Sequence, residues 1–352
     1  MKRANITACL LIILPAQFGC ARDQEQRTEP DSQDTAISLI QELGGKVERD
    51  EKNPAHPITK IDLASTGVQD PDLKMVKCLS DIQELRIGHT AITDTGISEL
   101  SSFSCLRSLW INPAPITDKA LIIIGDNLTK LCQLDITDTA ITDTGLTHLQ
   151  KLANLKELRL GHTKITDSGI VALKEDKLEL LDLWRTDITD RSLQTIGAIT
   201  SLKHLWLSYT QITDRGLTTL TSLPVLESLM LNHTRVTGAG MKHIGRIHSL
   251  QILDVSETAI TDDGVLHLLS LPKLESLALD DTKVTDRSLK YIAKMPNLKR
   301  LRLRRTQITD AGLTYLVQCK RLDVVSLRGT SVSSDGVQKL RHERPGLTVD
   351  IR

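Results

Sequence analysis

Residues 157–170 read ELRLGHTKITDSGI, and residues 300–313 read RLRLRRTQITDAGL. The two stretches agree at both leucines, at a central threonine and at the block Ile-Thr-Asp-x-Gly. Aligning the chain on that threonine gives Thr66, Thr90, Ala114, Thr139, Thr163, Thr186, Thr210, Thr234, Thr258, Thr282, Thr306 and Thr330, which define repeats 1 to 12. The spacing is 24 residues throughout, except for one interval of 25 and one of 23. A text that returns in register this often is an internal repeat. A unit this short cannot bury its apolar side chains alone, so the units must stack.

Each repeated residue type has a physical reason. Leu-x-Leu has period 2, so both leucines point into a core from a short strand, and the residue between them faces outward. The threonine falls where the chain leaves the strand, and its hydroxyl can bond backbone groups of the turn. Ile-Thr-Asp-x-Gly then offers Thr or Asp as a helix N-cap. Apolar residues follow at i, i+3 and i+6, as in Leu146, Leu149 and Leu152, which suits a short helix packed on the outer side.

The motif Leu158-x-Leu160-x-x-Thr163-x-Ile165, with Leu85-x-Ile87-x-x-Thr90-x-Ile92 and Leu301-x-Leu303-x-x-Thr306-x-Ile308, resembles the leucine-rich-repeat signature LxLxxNxL. Thr takes the place of the usual Asn or Cys. The resemblance covers about residues 58 to 343 and implies an α/β solenoid, a right-handed horseshoe of about twelve repeats. Its parallel sheet would line the inside and its short helices the outside. The ITDxGL wording looks most like the cysteine-containing subclass and bacterial exported or lipid-anchored repeat proteins. In eukaryotic members such an array often follows an F-box that docks a ubiquitin ligase, but residues 1–57 have too little apolar sequence for that module. Ala114 lacks the turn hydroxyl, Gly238 and Ser334 replace the expected capping Asp, and Pro113 and Pro115 flank the turn of repeat 3. A local bend or loosening at 112–118 is expected.

Composition agrees with a repeat. Trp, Tyr and Phe together number 8, whereas Leu numbers 56, about one residue in six, so the core must be aliphatic. Lys plus Arg equals Asp plus Glu at 44 each. Zero net charge gives no global basic field for nucleic acid, and no nucleic-acid partner is expected.

The amino terminus reads as an address. Lys2 and Arg3 precede the apolar run at 8–14, too short for a membrane span and suited to a secretory signal over 1–20. Phe18-Gly19-Cys20 resembles the end of a bacterial lipoprotein signal, which implies lipidation of Cys20 and anchorage to a membrane. Gln17 departs from the Leu preferred there, and ordinary cleavage near Ala21 is the competing reading. Residues 21–33 form a polar tether, 34–57 an N-terminal helical cap with a strand at 46–48, 58–343 the repeats and 344–352 a C-terminal cap strand.

No catalytic constellation is present: there is no GxSxG, HExxH or Walker loop. The recurring Asp lacks the nine-residue period of a calcium β-helix. His89, His162 and His233 share a register three repeats apart, about 14 Å at ~4.8 Å per strand, too far to share a metal at about 2 Å. No metal site or cofactor is expected. Cys78, Cys105, Cys132 and Cys319 read as thiols in outer segments, with a bridge between neighbouring repeats as the alternative.

The strand residues that face outward remain. Their middle register is Asp62, Arg86, Trp110, Asp135, Arg159, Asp182, Trp206, Met230, Asp254, Ala278, Arg302 and Ser326. Trp184, two residues beyond Asp182, shares the face, so all three tryptophans stand on the inner sheet. Trp is enriched in binding hot spots. The expected ligand site is therefore Trp184, Trp206, Tyr209, Met230 and His233, with Trp110 on the same face and Asp182, Arg159 and Asp254 setting polarity. The alternation of Asp135, Arg159 and Asp182 also fits plain cross-strand pairing. Arg300, Arg302, Arg304 and Arg305 form the densest basic group, with Asp280 and Asp281 placed to neutralise it. The expectation is a non-enzymatic exported module at the cell envelope, binding a protein or glycan on its concave face. A structural, envelope-organising protein without a discrete ligand is the alternative, and an adaptor of a ubiquitin-ligase-like assembly the third.

Overall fold

The computed structural model describes residues 30–173 and 177–351, so the expected signal, Cys20 and most of the tether lie outside the described residues. The described residues form one 14-stranded sheet in which each strand neighbours the next in sequence. The first strand, Lys46–Arg49, pairs antiparallel with Ile58–Asp62, and every later pairing is parallel. The cap helix spans Pro30–Glu42, so it takes in the last four residues of the expected tether. At the other end Thr348–Asp350 adds a last parallel strand behind the helix Ser334–Glu343. The chain is thus a solenoid of short strands alternating with short helices, as the repeat requires.

The core is aliphatic and continuous from Ala36 and Ile40 in the cap to Val349, with Phe103 the one ring among its fully buried side chains. Ten of the twelve repeats turn off the strand in the same way. Ser65, His89, Asp138, His162, Arg185, Tyr209, His233, Glu257, Asp281 and Arg305, each just before the aligned threonine, hold φ between 53° and 59°. That left-handed conformation is uncommon for non-glycine residues. The threonine hydroxyl bonds the carbonyl three residues back, for example Thr163 Oγ1 to Leu160 at 2.6 Å and Thr210 Oγ1 to Leu207 at 2.6 Å. These bonds stay within a repeat, so the threonines pin each turn and do not link repeats.

The link between repeats lies in the Ile-Thr-Asp block, and here the sequence reading needs correction. Thr is the N-cap, as at Thr166, whose side chain accepts from Ser168 N–H. The Asp that follows does not cap its own helix. It bridges to the next repeat: Thr213 donates its N–H to Asp190 Oδ1 at 2.8 Å and its hydroxyl to Asp190 Oδ2 at 2.6 Å. The same pair of bonds joins Asp70 to Thr93, Asp143 to Thr166, Asp286 to Thr309 and Asp310 to Ser333. A glycine three residues after the bonded threonine makes room for the Asp, since a Cβ on Gly216 would lie 2.5 Å from Asp190 Oδ1. Gly238 breaks the series, and Thr261 in the next repeat carries no side-chain cap bond.

In repeat 3 the strand Ser108–Trp110 stays paired on both sides. Elsewhere the residue before the aligned threonine donates its N–H to the following repeat, as Asp138 does to Gly161. Pro113 has no N–H for that bond and Ala114 has no hydroxyl, so this turn holds fewer bonds than its neighbours.

Candidate functional site on the open face of the sheet

The outward residues of repeats 3 to 8 separate into two strips. The first is built on the middle register. Trp110 and Trp206 are rooted four strands apart, with Arg159 midway between them. Both indoles lean toward that arginine, whose Cζ lies 4.9 Å from the Trp110 ring centroid and 5.9 Å from that of Trp206. Arg86 covers Trp110 from the other side at 5.4 Å. These are cation–π distances. The strands between carry Asp135 and Asp182, which are only 5% and 6% exposed although they stand on an open face. Indoles reaching across those strands account for the burial.

Arg159 does not make the cross-strand ion pairs that alternation suggested. Its Nη2 donates to Glu157 Oε2 on its own strand at 3.2 Å. The aspartates are occupied locally: Asp135 Oδ1 accepts Thr137 N–H at 3.0 Å, and Asp182 Oδ1 accepts Trp184 N–H at 2.8 Å. Burial pushes the Asp182 carboxyl up to about 6, against the opposing bond from Trp184, and the Asp135 charge adds to the rise. Burial also raises Asp135, opposed chiefly by its bonds with Thr137. Three buried nitrogens have no hydrogen-bond partner among the described residues: Trp110 Nε1, Arg159 Nη1 and Trp206 Nε1.

The second strip runs along the turns. His162 meets Trp184 edge-on at 5.9 Å, Trp184 meets Tyr209 edge-on at 6.2 Å, and Tyr209 stacks on His233 at 4.3 Å. Except for Trp184, these rings sit on the left-handed residues, which turn them off the strand ends. Tyr209 is 40% exposed. Carboxylates close both ends, Asp138 on His162 and Glu257 on His233, the latter at 3.1 Å. The strips meet at Gly161, where an added Cβ would lie 3.3 Å from Trp184 and 3.4 Å from Asp182 Oδ2.

The expected site residues therefore do not make one cluster. Trp184, Tyr209 and His233 belong to the outer strip, joined by His162, which was not among the expected site residues. Trp110, Arg159, Asp182 and Trp206 belong to the central strip, where Asp135 joins them. Met230 pairs in register with Trp206, half-buried. Asp254 turns instead to Arg302, 3.6 Å away. Three of the four arginines of repeat 11 pair laterally with carboxylates. Arg302 pairs with Asp280 at 2.8 Å, Arg304 with Asp350 at 3.5 Å, and Arg305 with Asp281. Cys78, Cys105, Cys132 and Cys319 carry thiols, and burial pushes Cys319 up to about 11. No group of three metal-ligating side chains comes together, and no helix is long and apolar enough to cross a membrane, among the described residues.

Comparison with known proteins agrees with the fold. Residues 79–101, 151–174, 198–220, 246–269 and 294–317 match the leucine rich repeat family. The chain is similar to an internalin from Listeria monocytogenes at 21% identity and a TM-score of 0.64, over 91% of this chain and 95% of that one. It is similar to a leucine-rich-repeat protein of Leptospira interrogans at 20% identity and a TM-score of 0.52, over 79% and 80% of the two chains. The mouse RP105/MD-1 complex gives 18% identity and a TM-score of 0.57, over 77% of this chain and 47% of that one. No curated protein sequence matches the chain. The matched repeats and the fold show a leucine-rich-repeat solenoid.

Proposed function

We propose that this is a non-enzymatic recognition protein that binds a protein or glycan on the open, inner face of its sheet. We propose further that it is exported and held at the cell envelope by lipid on Cys20. The observation that carries the binding reading is the placement of all three tryptophans, half-buried, on one face that the core does not need. Large rings on a solvent-facing sheet cost exposed apolar area, which a bound partner would cover. The mouse RP105 structure is a complex with MD-1, and binding of a protein partner by this chain is in keeping with that use of the fold.

The test is capture from an envelope extract on the immobilised chain, beside the double variant Trp184→Ala/Trp206→Ala. Loss of captured material from the variant is expected. Equal capture by both chains rejects this face as the binding surface.

A further inference from the structure

The central strip carries a narrower reading, which rests on the proposal that the open face binds a ligand. We infer that Trp110, Asp135, Arg159, Asp182 and Trp206 form a subsite for an uncharged saccharide. The three unpartnered buried nitrogens named above are the only unsatisfied buried side-chain polar atoms found among the described residues, and all three lie in this one cluster. A buried donor without an acceptor costs roughly 1–3 kcal/mol. A cluster serving only to cover the sheet would gain by pairing them. Carboxylates are at hand, yet each spends Oδ1 on the backbone N–H two residues further along its own chain. Asp182 Oδ2 takes no hydrogen bond from the described residues and faces the junction of the two strips.

The unmet buried groups are therefore three donors, and beside them stands one carboxylate oxygen, Asp182 Oδ2, with no hydrogen bond from the described residues. An anion would meet the donors but lie against Asp135 and Asp182. A cation would meet the carboxylates but lie against Arg159 and leave the three N–H groups unpaired. A hydroxyl both donates and accepts, so vicinal hydroxyls on an uncharged ring satisfy both sets at once. The C–H faces of such a ring present the apolar surface that the two indoles can cover. The indoles stand on the solvent side of the sheet and turn about their own side-chain bonds, so opening the cluster leaves the strands undisturbed.

The chain supplies its own reporter, since its only tryptophans, Trp110, Trp184 and Trp206, all lie on this face. The full chain is titrated with cellohexaose, laminarihexaose, mannohexaose and chitohexaose, and in parallel with heparin and poly-lysine, while indole emission is followed. A saturable emission change with at least one neutral hexasaccharide is expected. Asp182→Asn and Arg159→Lys should each weaken it at least tenfold, and Lys290→Ala, exposed on the outer helix Asp286–Ile292, should leave the affinity within about threefold. Circular dichroism confirms that each variant is folded. A response to heparin or poly-lysine alone, no response to any probe, or undiminished sugar binding by Asp182→Asn overturns the saccharide subsite. If these results overturn it while capture from the extract still depends on Trp184 and Trp206, the face binds a protein and only the narrower reading falls. If capture is also independent of those residues, both readings fall.

Discussion

Asp182 joins the stability of the molecule to its site. Its carboxyl ionises only near pH 6 in the folded chain, because the surrounding indoles and sheet exclude water. An unfolded chain would release that proton at its ordinary value near 4. Between those values the folded state binds more protons than the unfolded one, so this group's contribution to stability falls as pH rises. The loss is complete above about pH 6. Asp182→Asn, which keeps an oxygen for the Trp184 N–H, should be more stable than the parent chain by roughly 1–3 kcal/mol at pH 7.5. Near pH 4 the gain should shrink toward zero. Urea unfolding of both chains at the two pH values checks this, and a gain that grows on acidification contradicts it. The sequence showed that Asp182 faces outward, because period 2 fixes the side of a strand. It gave no sign that Asp182 would be buried, since that depends on indoles rooted one repeat on either side of Arg159's neighbours leaning inward.

At the scale of the element, repeat stacking depends on a carboxylate handed from one repeat to the next. The Ile-Thr-Asp block was plain in the sequence, but periodicity cannot say whether Asp bonds its own helix or the next one. The two partners stand 22 to 24 positions apart in sequence, and only the packed repeats bring them together. The bridging bonds hold Asp167 and Asp262 below the ordinary carboxylate range. Burial alone would raise both, and the bonds from Ser192 and Thr189, and from Ser288 and Thr285, outweigh it. In those two repeats a serine stands where others have glycine, and its hydroxyl bonds the Asp that would otherwise crowd a side chain. The gap at Gly238 can be filled. A Cβ there would lie 3.3 Å from Thr261 Oγ1, and a cleft of about 390 Å³ opens beside it. Gly238→Asp should therefore stabilise the chain by about 1 kcal/mol, and Asp190→Ala should destabilise it by about 2 kcal/mol. Chemical unfolding followed by far-ultraviolet circular dichroism reads both. No change in either variant would remove the bridge as a source of stability.

For the molecule as a whole, a repeat array is held by nearest-neighbour contacts, so its ends need separate treatment. The cap helix and antiparallel strand cover one end, and the helix Ser334–Glu343 with the strand Thr348–Asp350 covers the other. The cap helix reaches back to Pro30, where a tether was expected. A helix there shortens the polar spacer that would separate a lipid from the first repeat. Mass spectrometry of the mature amino terminus should find diacylglyceryl-modified Cys20. A chain beginning at an unmodified Ala21 would leave export standing and remove the anchor. An intact Met1 would remove both.

The bridge from Asp to the following threonine has one more consequence, for how such a chain can grow. Every repeat that has a successor, except repeat 8 with its Gly238, offers the same carboxylate forward, and nearly every one accepts it at the same threonine. A duplicated 24-residue segment inserted in register would thus find both of its joints already made. Lengthening needs no compensating substitution. Ser334, standing where the forward carboxylate would be, marks the point at which the chain stops inviting another copy.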